Sequence, residues 1–193
     1  MGLVVHKYGG TSVADADRMR AVAEHVRRTR RRGDDVVVVI SAMGKETDEL
    51  IRTAADLSDD PPGREMDMLI TAGERKASAL MCMALDAAGV PAASFTGSQA
   101  GFRTDTNHTN ARIVEVRPDR VRAALDDGLV PVVGGSQGVS TDHDVTFLGR
   151  GGSDTTAVAL AEALDADACE LYTDVSGVFT TDPQLVPEAR KMD

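Results

Sequence analysis

Apolar runs short enough for buried strands alternate with amphipathic stretches along most of the chain. Residues 3–6 form the first run, and Met19, Val22, Ala23 and Val26 then recur at helical spacing towards Gly33. Residues 36–40 are five consecutive β-branched side chains, a composition that suits a strand covered on both faces of a parallel sheet. A loop at 41–44 leads into a helical pattern over 47–57. Pro61, Pro62 and Gly63 break the chain, and a longer helical pattern follows through Leu69, Ala77, Leu80, Met81 and Ala84 to a stop at Gly89. Strands are predicted at 92–96, 129–133 and 169–172, and helices at 118–126 and 153–164. Residues 97–116 read as a β excursion and 139–148 as a second hairpin. Strands alternating with helices in this way predict an α/β sandwich with a mainly parallel sheet, whose ligands sit at the C-terminal ends of the strands.

A length of 193 residues predicts one domain, and no repeat or low-complexity linker divides it. Hydrophobic residues at 42% and charged residues at 27% are those of a soluble globular chain, and no apolar run approaches the length of a bilayer span. The first residues lack the zones of a secretion signal, which places the chain in the cytoplasm. A net charge of −10 argues against nucleic-acid and membrane partners, both of which favour a positive surface. The arginine-rich run over 27–32 reads as a solvated helix end ahead of the C-cap glycine Gly33. Cys82 and Cys169 have no metal-ligand spacing and read as buried thiols. His108 and His143 read as solvent-exposed loop residues.

Two glycine-rich loops carry the candidate chemistry. Lys7-Tyr8-Gly9-Gly10-Thr11-Ser12 and Gly149-Arg150-Gly151-Gly152-Ser153-Asp154 each follow an apolar run and precede a helical stretch. Each offers backbone N–H groups, a helix start that favours negative charge, and one cation. Together they read as a phosphoryl-transfer site that grips two anions. Neither has the spacing of a Walker A loop or of a dinucleotide fingerprint. Taken alone, Gly9 and Gly10 are equally readable as turn glycines, and Lys7 as an edge lysine pointing to solvent. Lys7 is nonetheless one of four lysines among 21 basic residues, and it follows a buried strand directly.

The combination of Lys-Tyr-Gly-Gly-Thr-Ser-Val at 7–13, Ser-Ala-Met-Gly at 41–44, Gly-Glu-Arg at 73–75, Leu-Gly-Arg-Gly-Gly-Ser-Asp at 148–154 and Thr-Asp-Val-Ser-Gly-Val-Phe-Thr-Thr-Asp-Pro at 173–183 closely resembles the aspartate kinases of the amino acid kinase superfamily. The resemblance implies a three-layer α/β sandwich with hairpin excursions. It implies transfer of the ATP γ-phosphoryl group to the side-chain carboxylate of L-aspartate, with Mg2+ on the phosphate oxygens. A carboxylate nucleophile is already ionised near neutral pH, so no general base is required, and positioning and charge stabilisation carry the reaction. By resemblance, Lys7 neutralises the migrating group, Gly9 and Gly10 donate backbone hydrogen bonds to it, and Asp154 organises the lysine's polar surroundings. Arg150 with Gly151 grips the amino acid's carboxylate, Ser41, Thr47 and Ser153 add neutral hydrogen bonds, and Glu74 receives the substrate ammonium or orders its surroundings. Thr173, Asp174, Phe179 and Asp182 belong to the ATP block. Helix capping for Ser41 and Thr47, and a surface ion pair for Glu74 with Arg75, are the plain structural alternatives.

The resemblance also implies more protein than this chain contains, since the family continues through the rest of the catalytic domain, with a glycine and lysine motif that reaches the nucleotide, and then into regulatory domains. It further implies a homo-oligomer, or completion of the nucleotide site by another chain. Gln184 stands where the family has arginine, Ser136 where phenylalanine is common, and Phe147 where a small hydroxyl residue is usual. A kinase for a different amino acid carboxylate and a non-catalytic amino acid-binding or assembly subunit are the competing readings.

Overall fold

The computed structural model describes residues 2–173, 180, 181, 186, 188–190 and 192. At its centre lies a parallel sheet of five strands, β1 (Leu3–Tyr8), β2 (Asp35–Ile40), β3 (Ala92–Phe95), β6 (Val130–Gly134) and β9 (Ala168–Tyr172), in the spatial order β3-β6-β2-β1-β9. The β-branched run of β2 shows why the sheet needs two covering layers. Val36, Val38 and Ile40 enter one core cluster, whereas Val37 and Val39 enter the other. Period-2 alternation therefore buries both faces of a strand that has no polar side.

Helices α1 (Ala16–Arg31) and α3 (Gly63–Ala87) supply the first layer, through Met19, Val22, Ala23 and Val26 from one and Ala77, Met81 and Leu85 from the other. Helices α4 (Asp119–Asp126) and α5 (Gly152–Leu164) supply the opposite layer, through Val121, Ala124, Ala157, Leu160 and Leu164. Full burial of such aliphatic side chains contributes about 1.5–3 kcal/mol each relative to exposure. The architecture is the expected α/β sandwich with a mainly parallel sheet. Among the described residues, no helix is long and apolar enough to cross a membrane.

The two hairpins are β4 (Phe102–Thr104) with β5 (Ile113–Val116), and β7 (Gln137–Ser140) with β8 (Val145–Phe147). They join through a parallel β4–β7 pairing into one four-stranded sheet in the order β5-β4-β7-β8. Local alternation identifies a hairpin but carries no information about which other hairpin it meets. Helix α2 (Glu46–Leu57) follows the β2 loop.

The arginine-rich segment closes α1, with the C-cap at Arg32 rather than at Gly33, which follows it in the left-handed conformation at φ 99°. Arg27 pairs with Glu24, and Arg30 bonds Asp35 and the Gly128 carbonyl. Two sequence readings require correction. Both cysteines are free, but half-buried rather than buried. His108 is not simply exposed: its Nδ1 lies 2.7 Å from Oδ2 of the fully buried Asp67, whose Oδ1 accepts from the Thr109 N–H. That clamp fastens the β4–β5 loop to α3.

Candidate functional site

Registration of the parallel strands brings several loops to one edge of the sheet. Tyr8 pairs with Ile40 on one side and with Tyr172 on the other, and Ile40 pairs with Gly134, so the chain leaves β1, β2, β6 and β9 at nearly one level. Both glycine loops belong to this edge.

Lys7 is the penultimate residue of β1, and only 9% of its surface is exposed. Its Nζ lies 2.7 Å from Oδ1 of Asp154, in the first turn of α5. The same oxygen has no hydrogen-bond partner, so the contact is one of opposite charges at angles unsuited to a hydrogen bond. The solvent-facing alternative for Lys7 is excluded by this burial and pairing.

After Lys7 and Tyr8, Gly9 precedes a 3-10 turn over Gly10–Val13. A Cβ on Gly10 would lie 2.9 Å from both the Ala42 and the Gly44 carbonyl oxygens, and the Gly44 N–H donates to the Gly10 carbonyl at 2.9 Å. Glycine is thus required where the first loop meets the β2 loop. A Cβ on Gly9, by contrast, would meet only ordinary van der Waals neighbours, Lys7 Nζ at 3.6 Å and the Tyr172 carbonyl oxygen at 3.7 Å. The Gly9 N–H is engaged by the Tyr172 carbonyl at 3.3 Å. The N–H groups of Gly10 and Thr11, unlike that of Gly9, have no acceptor among the described residues.

Three hydroxyls meet where the β2 and β6 loops reach α5. Ser41 Oγ donates to Ser153 Oγ at 3.0 Å, and Ser153 Oγ lies 3.0 Å from Ser136 Oγ. Ser136 has φ 57° and donates its N–H to Thr156 Oγ1 at 3.0 Å. Gly135 and Gly152 make this approach possible, because a Cβ on either would fall 2.6 Å from Ser153 Oγ or 2.8 Å from Ser136 Oγ. Ser41 therefore bonds across loops rather than capping a helix. Thr47 sits in the first turn of α2, half-buried and without a side-chain hydrogen bond, while the N-cap there is Lys45.

Glu74 lies midway along α3 with 3% of its surface exposed, and its Oε2 has no partner. Burial pushes this carboxyl up to about 7. Backbone hydrogen bonds, including one to Ala42, oppose the rise, and Glu46 adds to it. Arg75 bonds the Thr71 hydroxyl at 2.8 Å, so a surface Glu74–Arg75 ion pair is not what this segment forms. A buried carboxyl lacking a partner is costly unless a ligand supplies one.

A chain of contacts therefore links Lys7 to Asp154, the neighbouring Ser153 to Ser41, and the adjacent Ala42 to both Gly10 and Glu74. Arg150 stays outside it, exposed and unpaired among the described residues, one position before the α5 N-cap Gly151 at φ 74°. Thr173 lies just beyond β9 and is exposed. Asp174, Phe179 and Asp182 fall outside the described residues. Ser136, with the glycines beside it, was recognisable in sequence only as a departure from phenylalanine. A phenylalanine there could not provide the third hydroxyl.

The residues present fit a phosphorylated ligand on one ground: the Gly10 and Thr11 N–H groups, without acceptors among the described residues, lie beside a buried lysine. No group of three or more His, Cys, Asp or Glu side chains among the described residues could hold a metal ion.

A sequence model of the amino acid kinase family matches residues 2–193. The aspartokinase of Mycolicibacterium smegmatis is 61% identical over the whole of this chain and 46% of its own length, and that of Geobacillus stearothermophilus is 53% identical over 47% of its length. The chain thus spans about half the length of the curated relatives it matches. Among solved structures, the aspartate kinase from Synechocystis superposes with a TM-score of 0.82 at 48% identity, over 97% of this chain and 31% of that one. The E. coli aspartokinase III complex with aspartate and ADP gives 0.81 at 28% identity, over 99% and 53%. With its parallel sheet, paired glycine loops and family match over nearly every residue, this chain belongs to the amino acid kinase family.

Proposed function

We propose that this chain forms the amino acid-binding and phosphoryl-transferring part of an aspartate kinase, which converts L-aspartate and ATP to 4-phospho-L-aspartate and ADP. The observation that carries the reading is the pairing of the buried Lys7 with Asp154 at 2.7 Å, set where the two glycine loops meet. Bound ATP would supply the phosphoryl group, and Mg2+ would screen charge on its oxygens. Lys7 holds positive charge beside the position over Gly9, and the Gly10 and Thr11 N–H groups add fixed dipoles. Asp154 keeps the lysine in place. It remains half-exposed, with side-chain accessibility of 49%, so its carboxylate stays hydrated on one side.

At the acceptor end, Arg150 has no partner among the described residues, and the planar fork of its guanidinium suits the α-carboxylate. The Ser41–Ser153 pair orients the side-chain carboxylate, with Thr47 on the neighbouring helix, and the unpartnered Glu74 oxygen accepts from the ammonium. Binding of that cation favours the ionised carboxylate and draws the Glu74 pKa down from about 7. The 48% identity to the Synechocystis aspartate kinase supports aspartate over other carboxylates.

The test is ATP-dependent acyl phosphate formation, trapped with hydroxylamine, over a panel of acidic amino acids. Aspartyl hydroxamate is expected, and none from Lys7→Ala. Measurable aspartate binding with no hydroxamate from any acid would instead establish a binding subunit.

A further inference from the structure

Beside Gly9, at the edge of the sheet, four aromatic rings form a box that the proposed reaction does not use. His6 and His25 stack with centroids 5.2 Å apart and planes 12° apart, and Tyr8 and Tyr172 stack at 4.9 Å and 8°. The two stacks meet edge to face. Polar contacts run completely round them. Glu170 Oε2 accepts from the Tyr172 hydroxyl and lies 3.2 Å from His6 Nε2. His6 Nδ1 is 3.1 Å from Tyr8 Oη, which is 2.8 Å from His25 Nδ1. His25 Nε2 is 3.5 Å from Tyr172 Oη and closes the circuit.

Counting protons fixes the donors. A carboxylate oxygen only accepts, so His6 must carry its proton on Nε2 and Tyr172 must donate to Glu170. His6 Nδ1 is then an acceptor, and Tyr8 donates to it. Tyr8 Oη therefore accepts from His25, whose proton lies on Nδ1. Each neutral ring has now used its single proton. The contact between His25 Nε2 and Tyr172 Oη has none.

We infer that this circuit positions Gly9 for phosphoryl transfer, and that His25 Nε2 is its one imidazole nitrogen open to a further proton. The Tyr172 carbonyl accepts the Gly9 N–H, Tyr8 directly precedes Gly9, and the two tyrosines are partners in the β1–β9 register. Restraint of either ring is thereby passed to the backbone beside Lys7. The positioning role rests on the kinase reading, whereas the proton placement does not.

Every charged or titratable group facing His25 bears on when that proton arrives. From β1 these are His6 and Tyr8, from β9 Glu170 and Tyr172, and from α1 itself Arg28 and Arg32. Arg18 lines the open side, a cleft of about 380 Å³ shared with Ser12 and Thr173. Burial and Arg28 hold His25 below the usual histidine range, with Glu170 opposing, while burial takes His6 down to about 4. A second proton on His6 would have to displace the one Tyr8 donates to its Nδ1, whereas His25 Nε2 has none to displace, so His25 is the first of the pair to titrate on acidification. Its Nε2–H then donates to Tyr172 Oη, every contact in the circuit holds a proton, and α1 gains a hydrogen bond to β9.

Nitrogen-15 NMR of the intact histidine-labelled protein reads this directly. At about pH 8, where both imidazoles are neutral, His6 is expected as the Nε2–H tautomer and His25 as Nδ1–H, with His25 Nε2 moving first as pH falls. Tyr8→Phe removes the acceptor of His25 and should return that ring to the Nε2–H tautomer favoured by free imidazole. Should that variant not fold, Tyr172→Phe deletes the acceptor for the incoming proton and should shift the His25 titration lower. An Nε2–H tautomer for wild-type His25, or titration of His6 before His25, overturns the circuit. In turnover assays Tyr172→Phe should move the acid limb of the kcat profile with the His25 titration, leaving the aspartate KM within about twofold. A lower kcat with an unmoved pH profile overturns the positioning role. An inactive wild-type chain overturns the proposed function together with that role, and the tautomer result then stands or falls on its own.

Discussion

Lys7 and Arg150 are both cations beside glycines, yet their surroundings assign them different tasks. Lys7 is buried and committed to one carboxylate, whereas Arg150 is exposed and has no partner among the described residues. Lys7→Ala should reduce kcat by about a hundred- to a thousandfold, the range lost with a main electrostatic stabiliser. Its cost in stability should be only about 1 kcal/mol, because the half-exposed Asp154 it leaves behind remains hydrated. Urea denaturation and single-turnover assays separate the two effects, and unchanged turnover would remove the central assignment. Arg150→Ala should raise the aspartate KM by roughly ten- to a hundredfold, the loss of a charge-assisted contact of about 1.5–3 kcal/mol. Calorimetric titration checks this, and a change confined to ATP affinity would contradict it.

At the level of elements, the site is a matter of loops that touch. Gly10 has two carbonyl oxygens within 2.9 Å of where a Cβ would be, one of them from Ala42, whose neighbour Ser41 reaches Ser153. Gly10→Ala should cost about 1–3 kcal/mol, the usual range for forced overpacking, because backbone atoms rather than a flexible side chain must give way. Activity should fall more steeply than stability, since the displaced β2 loop also carries the hydrogen bond to Glu74. Thermal unfolding and turnover of this variant, measured against Gly9→Ala, provide the comparison. Gly9 faces only ordinary van der Waals neighbours, so its alanine variant should fold normally and lose activity alone.

Across the whole molecule, two buried groups tilt stability in opposite directions with pH. Glu74 is raised from 4.5 to about 7, so its contribution is fully present below pH 4.5 and is lost as pH rises through about 7. His6 is lowered from 6.5 to about 4, so its contribution is present above pH 6.5 and is lost as pH falls through about 4. Glu74→Gln removes only the first slope. Without ligand, the variant should gain on the wild type as pH rises from 4.5, by up to about 3 kcal/mol above pH 7, while binding aspartate more weakly. Urea unfolding across this range is the measurement, and a pH-independent difference would show that Glu74 is not held protonated in the fold.

The arrangement of strands and helices was open to reading in the chain because it is imposed locally. Five β-branched residues at 36–40 leave no polar face, and Met19, Val22, Ala23 and Val26 leave only one apolar stripe, whatever else the chain does. The glycine loops were visible for the same reason, since the backbone there demands residues without side chains. Tertiary structure alone decided which distant groups share a contact. Lys7 with Asp154, Ser41 with Ser136 and Ser153, and His6 with His25 and Tyr172 are each separated by a stretch of sequence that carries no record of the distance across the fold. Burial, which turns Glu74 from an ordinary surface acid into a carboxyl titrating near neutrality, likewise exists only once the layers have packed.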